Sequence, residues 1–255
     1  MDMHLTGKQA IVTGASKGIG LAIVEALLDE GVAVVAAARH VEGLPGEVHG
    51  VAVDLSSEQG ATELVAAAKQ VFDGGLDVLV NNVGGVAPRL GGFRSVSDEE
   101  WIATLALDFL SAVRVTRGAL DLLEARGGGT IVSVNSVNAT LADPLVIDYC
   151  SAKAALASFS KSLAKEVAPL GIRVNTVSPG PVATDLWLGA GGVAATVAQG
   201  GDASAVAAGA AAQSPTGRFT EPAEVADLVV LLASGRAGNV TGADFVIDGG
   251  LIPTH

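Results

Sequence analysis

Short apolar runs alternate with longer amphipathic stretches along most of this chain, and turn-forming residues or an acid close nearly every run. Residues 8–13 read as a short buried strand, followed at once by Gly14, Ala15, Ser16, Lys17, Gly18, Ile19 and Gly20. A helical pattern then places Ile23, Ala26 and Leu27 on one face. Further strands are predicted over residues 32–38, 48–54 and 76–82, with a helix over 63–72 before the fourth strand and a fifth strand beginning at Thr130. No repeat or linker interrupts this alternation. It predicts an α/β, Rossmann-like, doubly wound parallel sheet, folded as a single domain over residues 1–255, with a ligand crevice at the carboxyl ends of the strands. Residues 189–213 are rich in alanine and glycine and poor in bulky apolar side chains, which predicts a mobile lid at about 185–215. Residues 222–232 read as an amphipathic helix with Pro222 in its first turn.

Composition narrows the partners. Of 255 residues, 49% are hydrophobic and 16% charged, as in a compact globule with a large core. The formal net charge of -12 repels nucleic acid and anionic membranes, so neither is expected as a partner. Cys150 is the single cysteine, which excludes an intramolecular disulfide and fits a reducing compartment. His4, His40, His49 and His255 show no ligand spacing, so no metal is expected. The residues from Met1 to Lys8 lack the pattern of a secretory signal, and no apolar run has the length of a membrane span. A cytoplasmic location is the expectation.

Two clusters carry chemistry. Glycines after a strand let the backbone approach a phosphate, and the first amides of the following helix favour its negative charge, so residues 14–20 point to a dinucleotide. The second strand ends at Ala38 and Arg39, where a carboxylate would otherwise hold a ribose 2′-hydroxyl. Arg39 and Lys17 instead suit a 2′-phosphate, so NADP(H) is preferred and NAD(H) remains possible. Asp54, followed by Leu55, suits an adenine edge or caps the next helix; both are candidate cofactor contacts. The other cluster is Tyr149 and Lys153, four positions apart and so on one helix face. An adjacent ammonium favours the phenolate, which predicts a Tyr149 acidic enough to exchange a proton with a carbonyl or alcohol oxygen. Ser136 follows the apolar run 130–135, where its hydroxyl would reach the same oxygen.

Residues 13–20, the segment Asn81, Asn82, Val83 and Gly84, the spacing of Ser136, Tyr149 and Lys153, residues 178–184 and residues 241–250 together resemble the short-chain dehydrogenase/reductase family over nearly the whole chain. The resemblance implies hydride transfer between a nicotinamide and a ketone or secondary alcohol. Tyr149 would be the acid/base, Ser136 would position the substrate oxygen, and Lys153 would lower the tyrosine's pKa and bind the nicotinamide ribose. Gly14, Ser16, Lys17, Gly18, Ile19, Gly20, Asn81 and Gly84 would hold the cofactor, with Pro179, Gly180, Val182 and Thr184 beside the nicotinamide. The last strand implies subunit packing, and a homotetramer is expected by analogy. A 3-oxoacyl thioester reductase shares these motifs, and a cofactor-binding regulator without turnover is the alternative of another class. Asp108 departs from the pattern, standing where the family usually has an asparagine whose main-chain carbonyl supports a proton relay to the lysine; it joins Ser136, Tyr149 and Lys153 as a candidate catalytic residue. If its side chain lies near Lys153, its charge would favour the ammonium and partly cancel the field that acidifies Tyr149. Val137, Leu141, Pro144, Leu145, Val146, Leu186, Trp187 and Leu188 would either wall an apolar substrate pocket or, several of them, fill the core beneath a lid. Arg89 and Arg94 would either meet an anionic group or lie solvated in a loop.

Overall fold

A computed structural model describes residues 2–253 of the protein; Met1 and His255, on which two of the expectations above touch, lie outside the described residues. Seven parallel strands form one sheet: β1 (Gln9–Thr13), β2 (Ala33–Ala38), β3 (His49–Ala52), β4 (Val78–Asn81), β5 (Gly129–Val134), β6 (Ile172–Pro179) and β7 (Asp244–Ile247). Their order, β3-β2-β1-β4-β5-β6-β7, reverses direction between β1 and β4. The expected doubly wound sheet is therefore present, and its ligand crevice belongs outside the carboxyl ends of β1 and β4.

The central strands are continuous apolar runs because helices cover both faces. On one face α1 (Gly18–Asp29) and α9 (Pro222–Ala233) bury Ile23, Leu27, Val225 and Val229 against Val12, Val80 and Val132. On the other, α2 (Glu58–Val71), α4 (Ser111–Ala125) and α5 (Ile147–Val167) cover Ile11, Leu79, Ile131 and Val174. Alternation along β5 divides its side chains between the two layers: Val132 and Val134 face α1 and α9, while Ile131 faces the other three helices.

Local chemistry sets the ends. The α2 helix begins five residues before the apolar periodicity does, because the Ser57 hydroxyl accepts the Gly60 N–H at 3.0 Å and caps a polar first turn. Helix α3 (Asp98–Leu105) opens on a reciprocal capping box between Ser97 and Glu100. A widened π-helical turn, Ala106–Leu110, joins it to α4. At the opposite end of the sheet the buried Asp77 carboxylate accepts from Lys8 Nζ (2.9 Å), Arg126 Nη2 (2.9 Å) and the Gln9 amide (3.0 Å), tying β4 to the start of β1 and the end of α4.

The alanine- and glycine-rich stretch folds as α6 (Asp185–Leu188), α7 (Val193–Ala198) and α8 (Ala203–Gln213), with Val193 and Ala194 buried. The Asp202 carboxylate caps α8 by accepting from the Ser204 and Ala205 amides. No described helix is long and apolar enough to cross a membrane.

Leu79 is fully buried in the central strand. Leu79→Ala should lower stability by about 2–5 kcal/mol, read as a lowered denaturant midpoint; an unchanged midpoint would contradict this placement of the core.

Candidate active site

Three chain segments meet at the carboxyl end of the sheet. β5 runs into Ser136, whose hydroxyl accepts the Asn138 amide at 3.1 Å and lies 3.3 Å from Asn138 Oδ1. Helix α5 carries Tyr149 and, one turn on, Lys153, with its ammonium 5.6 Å from the tyrosine ring centre. The π-helical turn aims Asp108 inward, 3.9 Å from Lys153 Nζ. Lys153 also donates to the Val134 carbonyl at 3.2 Å, and Asp108 Oδ1 accepts the Gly85 amide at 3.0 Å. Lys153 and Asp108 are 3% and 1% exposed, so their charges meet in a nearly dry place.

That burial reverses one expectation. Burial pushes the Tyr149 hydroxyl upward, the Asp108 charge pushes it further, and the neighbouring Ser136 hydroxyl opposes them only in part. In the protein's own field the phenol is therefore less acidic than a free tyrosine, not more. Burial likewise lowers Lys153 against the pull of Asp108, and raises Asp108 to about 6 despite Lys153 and the Gly85 amide. The physical reason is first the burial of the phenol, which disfavours its charged form, and then the Asp108 charge, which acts against the ammonium that spacing alone places beside it.

The glycine turn is built to be approached closely. Gly14 and Gly18 have φ of +66° and +56°, and a Cβ on Gly20 would lie 2.1 Å from the Gly14 carbonyl oxygen. Lys17 precedes α1 without placing a side-chain cap on its amides, and the first turn carries no acid. This cradle and its uncapped amides suit a pyrophosphate. Arg39 is exposed at the end of β2, close enough to Asp54 for its charge to help lower that carboxyl, whose main cause of lowering is the Ser56 amide bond. Leu55 has its side chain buried in the layer under α2, so only its main chain can face a ligand. Asn81 is buried and donates to Thr116 Oγ1 at 3.0 Å. Its neighbour Asn82, which sequence reasoning passed over, holds the turn itself by donating to the Thr13 and Gly14 carbonyls at 3.0 Å each. The doubled asparagine at a strand end was the available signal. Gly84 passes so close to the charged pair that a Cβ there would lie 2.7 Å from Asp108 Oδ1.

A cavity of about 620 Å³ opens beside Ser136 and Tyr149. Ile19, Pro179, Gly180, Val182 and Thr184 line one part, and Val137, Leu141, Pro144, Leu145, Val146, Leu186 and Trp187 line another, as expected. Leu188 does not join them and is exposed, whereas α7 and α8 add Val193, Val197, Val206 and Gln213. Among the described residues, Asp143 is the only charged side chain in the lining. Arg94 is exposed, but Arg89 is neither solvated nor turned to a ligand. Its guanidinium grips the buried Asp148 carboxylate and donates to Glu100 Oε1 at 2.7 Å, while Thr104 donates to Asp148 Oδ2 at 2.7 Å. Burial alone would raise Asp148; these bonds outweigh it and hold the carboxyl below its ordinary value. Cys150 is half-buried against Asp143, and burial raises its thiol. Among the described residues no cluster of side chains could hold a metal ion.

A family model described as Enoyl-(Acyl carrier protein) reductase matches residues 14–252. The chain is 33% identical to the 3-oxoacyl-(acyl-carrier-protein) reductase FabG of Vibrio cholerae, covering 98% of this chain and 99% of that one. It is 36% identical to the D-threitol dehydrogenase of Mycolicibacterium smegmatis, with coverage of 98% and 94%. The crystal structure of L-sorbose reductase from Gluconobacter frateurii, complexed with NADPH and L-sorbose, superposes with a TM-score of 0.92 at 36% identity over 100% of both chains.

Removing Arg89 would strand the Asp148 charge next to Tyr149. Arg89→Ala should cost about 3–5 kcal/mol at neutral pH. Because Asp148 is held low, its stabilising contribution is present above about pH 4 and is lost as pH falls through the folded value. The gap between wild type and variant in a denaturant series should therefore narrow in acid; a gap independent of pH would contradict the ion pair.

Proposed function

The chain belongs to the short-chain dehydrogenase/reductase family, oxidoreductases acting on alcohol and keto groups, and from that premise we propose an NADP(H)-dependent enzyme that interconverts a ketone and a secondary alcohol with Tyr149 as its acid/base. One observation carries this reading. Ser136 and Tyr149 line the same cavity as Ile19, Pro179, Gly180, Val182 and Thr184, so the groups suited to a carbonyl oxygen and those suited to a nicotinamide share one space. When bound, the reduced nicotinamide supplies the hydride. Gly14, Ser16, Gly18 and Gly20 would take the pyrophosphate on the amides of α1, and Lys17 with Arg39 the 2′-phosphate. Asp54 and the main chain of Leu55 would face the adenine, and Asn81 and Gly84 the adjoining ribose. Ser136 orients the carbonyl oxygen by donating to it, and Tyr149 gives that oxygen its proton. Lys153, fixed on the Val134 carbonyl, has further donors for the nicotinamide ribose.

NADP(H) is favoured over NAD(H) because β2 ends on Ala38 and Arg39 rather than on a carboxylate of its own, and the similar sorbose reductase was solved with NADPH. The apolar cavity favours a ketone with a hydrophobic body. A 3-oxoacyl thioester is the second reading, supported by the similarity to FabG. A regulator without turnover would draw on Asp108, which departs from the family's asparagine; Ser136, Tyr149 and Lys153 argue against one. The analogy with family members also proposes a homotetramer, which light scattering would check.

Mixing the protein with NADPH and a panel of ketones, while following cofactor absorbance, tests the reading directly: consumption supports it and binding without consumption overturns it. Tyr149→Phe should lower turnover by about 10²–10⁴-fold and leave NADPH binding intact. Arg39→Asp should move the ratio of kcat/KM values toward NAD(H). Retained turnover in the first variant, or an unmoved ratio in the second, counts against the respective assignment.

A further inference from the structure

We propose that Asp108 is a positioning residue for proton transfer: its buried carboxylate, paired with Lys153, keeps Tyr149 in the proton-donating form to higher pH than a carboxamide in the same place would. The inference rests on the reading of Tyr149 as acid/base given above and adds how that group is regulated.

Three observations place the carboxylate in this role. The π-helical turn Ala106–Leu110 sets Asp108 inside the protein rather than on the outer face of the α3–α4 rod, and leaves it 1% exposed. An extra residue in a helical turn rotates the side chains that follow it, and such turns often mark functional sites. Its Oδ1 is fixed by the Gly85 amide and faces the Lys153 ammonium at 3.9 Å, close enough for strong attraction and too far for a hydrogen bond. Its Oδ2 is fully buried and meets no donor among the described residues. A carboxylate held by one amide, one distant ammonium and nothing else is poorly compensated, so its remaining field falls on the neighbouring phenol.

Every other charged or titratable group facing this cluster has its own partner or lies further along the same helix. From α5 come Lys153, Tyr149, Asp148 and Cys150; the Asp148 charge is taken up by Arg89 from the loop after β4, with Glu100 and Thr104 of α3 on the same guanidinium and carboxylate. The Cys150 thiol is raised by burial and bonded to Asp143. Lys153 and Asp108 thus remain as the pair that can set the phenol. Burial is the first cause of both the raised Tyr149 and the Asp108 carboxyl near 6, and the Asp108 charge adds to the former.

The consequence is a pH window. In carbonyl reduction the proton bonded to the Tyr149 oxygen passes to the substrate oxygen as the hydride reaches carbon, and the phenolate regains a proton from solvent. A phenol that resists ionisation sustains this step into alkaline solution. Alcohol oxidation needs the phenolate first, so its rise with pH is delayed by the same amount.

Asp108→Asn is the test, because a carboxamide keeps the acceptor for the Gly85 amide and removes only the charge. Tyr149 is the only tyrosine in the chain, so tyrosinate absorbance reports its ionisation without any turnover. The midpoint in Asp108→Asn should fall by about one pH unit or more, with NADP present and without it. The alkaline limb of ketone reduction by NADPH and the acid limb of alcohol oxidation should move down with it. Asp108→Glu, which restores the charge, should return the midpoint toward wild type. A tyrosinate midpoint that is unchanged or raised in Asp108→Asn overturns the inference, as does a change confined to thermal stability. A lowered midpoint in a protein that consumes no NADPH with any ketone supports the electrostatic link and overturns the reductase reading alone.

Discussion

An ammonium group that is almost wholly out of water has to be compensated by its surroundings, and Lys153 is compensated only in part. One carbonyl, that of Val134, and one carboxylate at 3.9 Å face it. A lone buried charge of this kind is expensive, and the fold arranges several elements to tolerate it. β5 ends where its last carbonyl can accept from the lysine. The π-helical turn brings Asp108 in from the opposite side, and Gly84 is side-chain-free where any Cβ would collide with that carboxylate. The arrangement sits at the carboxyl end of the sheet because parallel strands buried on both faces offer polar chemistry only at their ends.

The same constraint explains why Arg89 is structural. Asp148 lies one residue before Tyr149 and is as thoroughly buried as Asp108. Two uncompensated carboxylates beside one phenol would each raise the other's proton affinity and hold the tyrosine neutral still more firmly. Arg89 offsets one of them, with Thr104 completing the bonds to Asp148, although the Asp148 charge still contributes to raising Asp108. Among the described residues this leaves Asp108 and Lys153 as the buried charges beside the phenol without a close ion partner, with Asp143 a further carboxylate in the cavity lining.

Much of this fold is legible in the sequence because strands covered on both faces must be apolar throughout. Residues 32–38 and 130–135 announce themselves that way, whereas β3, mostly exposed at the sheet edge, is shorter than its apolar run. The glycine turn, Ser136, Tyr149 and Lys153 are legible because their spacing within a turn or along a helix fixes their relation. What sequence does not reveal is contact across distance. Arg89 reads as a loop charge because its partner, Asp148, is 59 residues away. The inward turn of Asp108 depends on one widened helical turn that leaves no mark on periodicity. Leu188 follows Leu186 and Trp187 in an apolar cluster, yet the single turn of α6 carries it outward. The sign of the Tyr149 shift has the same origin: the sequence offers both the ammonium and the Asp108 carboxylate, and only the fold shows that they meet and that the phenol is buried with them.

The wall of the cavity argues for the kind of molecule it accepts. Its polar side chains beyond Ser136 and Tyr149 are few: Asn138 is committed, donating to the Leu141 carbonyl at 3.1 Å, while Asn135 is in the lining with both amide atoms buried and without a hydrogen-bond partner among the described residues. Asp143, Thr184, Gln213 and the Trp187 indole N–H remain, against apolar side chains from three separate segments. A substrate rich in hydroxyl groups would lose its bonds to water along such a wall without replacing them, at about 1–3 kcal/mol for each group left unpaired. An apolar skeleton with one carbonyl incurs no such loss, because its single polar atom is the one that Ser136 and Tyr149 are placed to receive. Away from Ser136 and Tyr149 the wall is drawn largely from residues 137–146 and 186–213, so shape and desolvation outweigh charge along it.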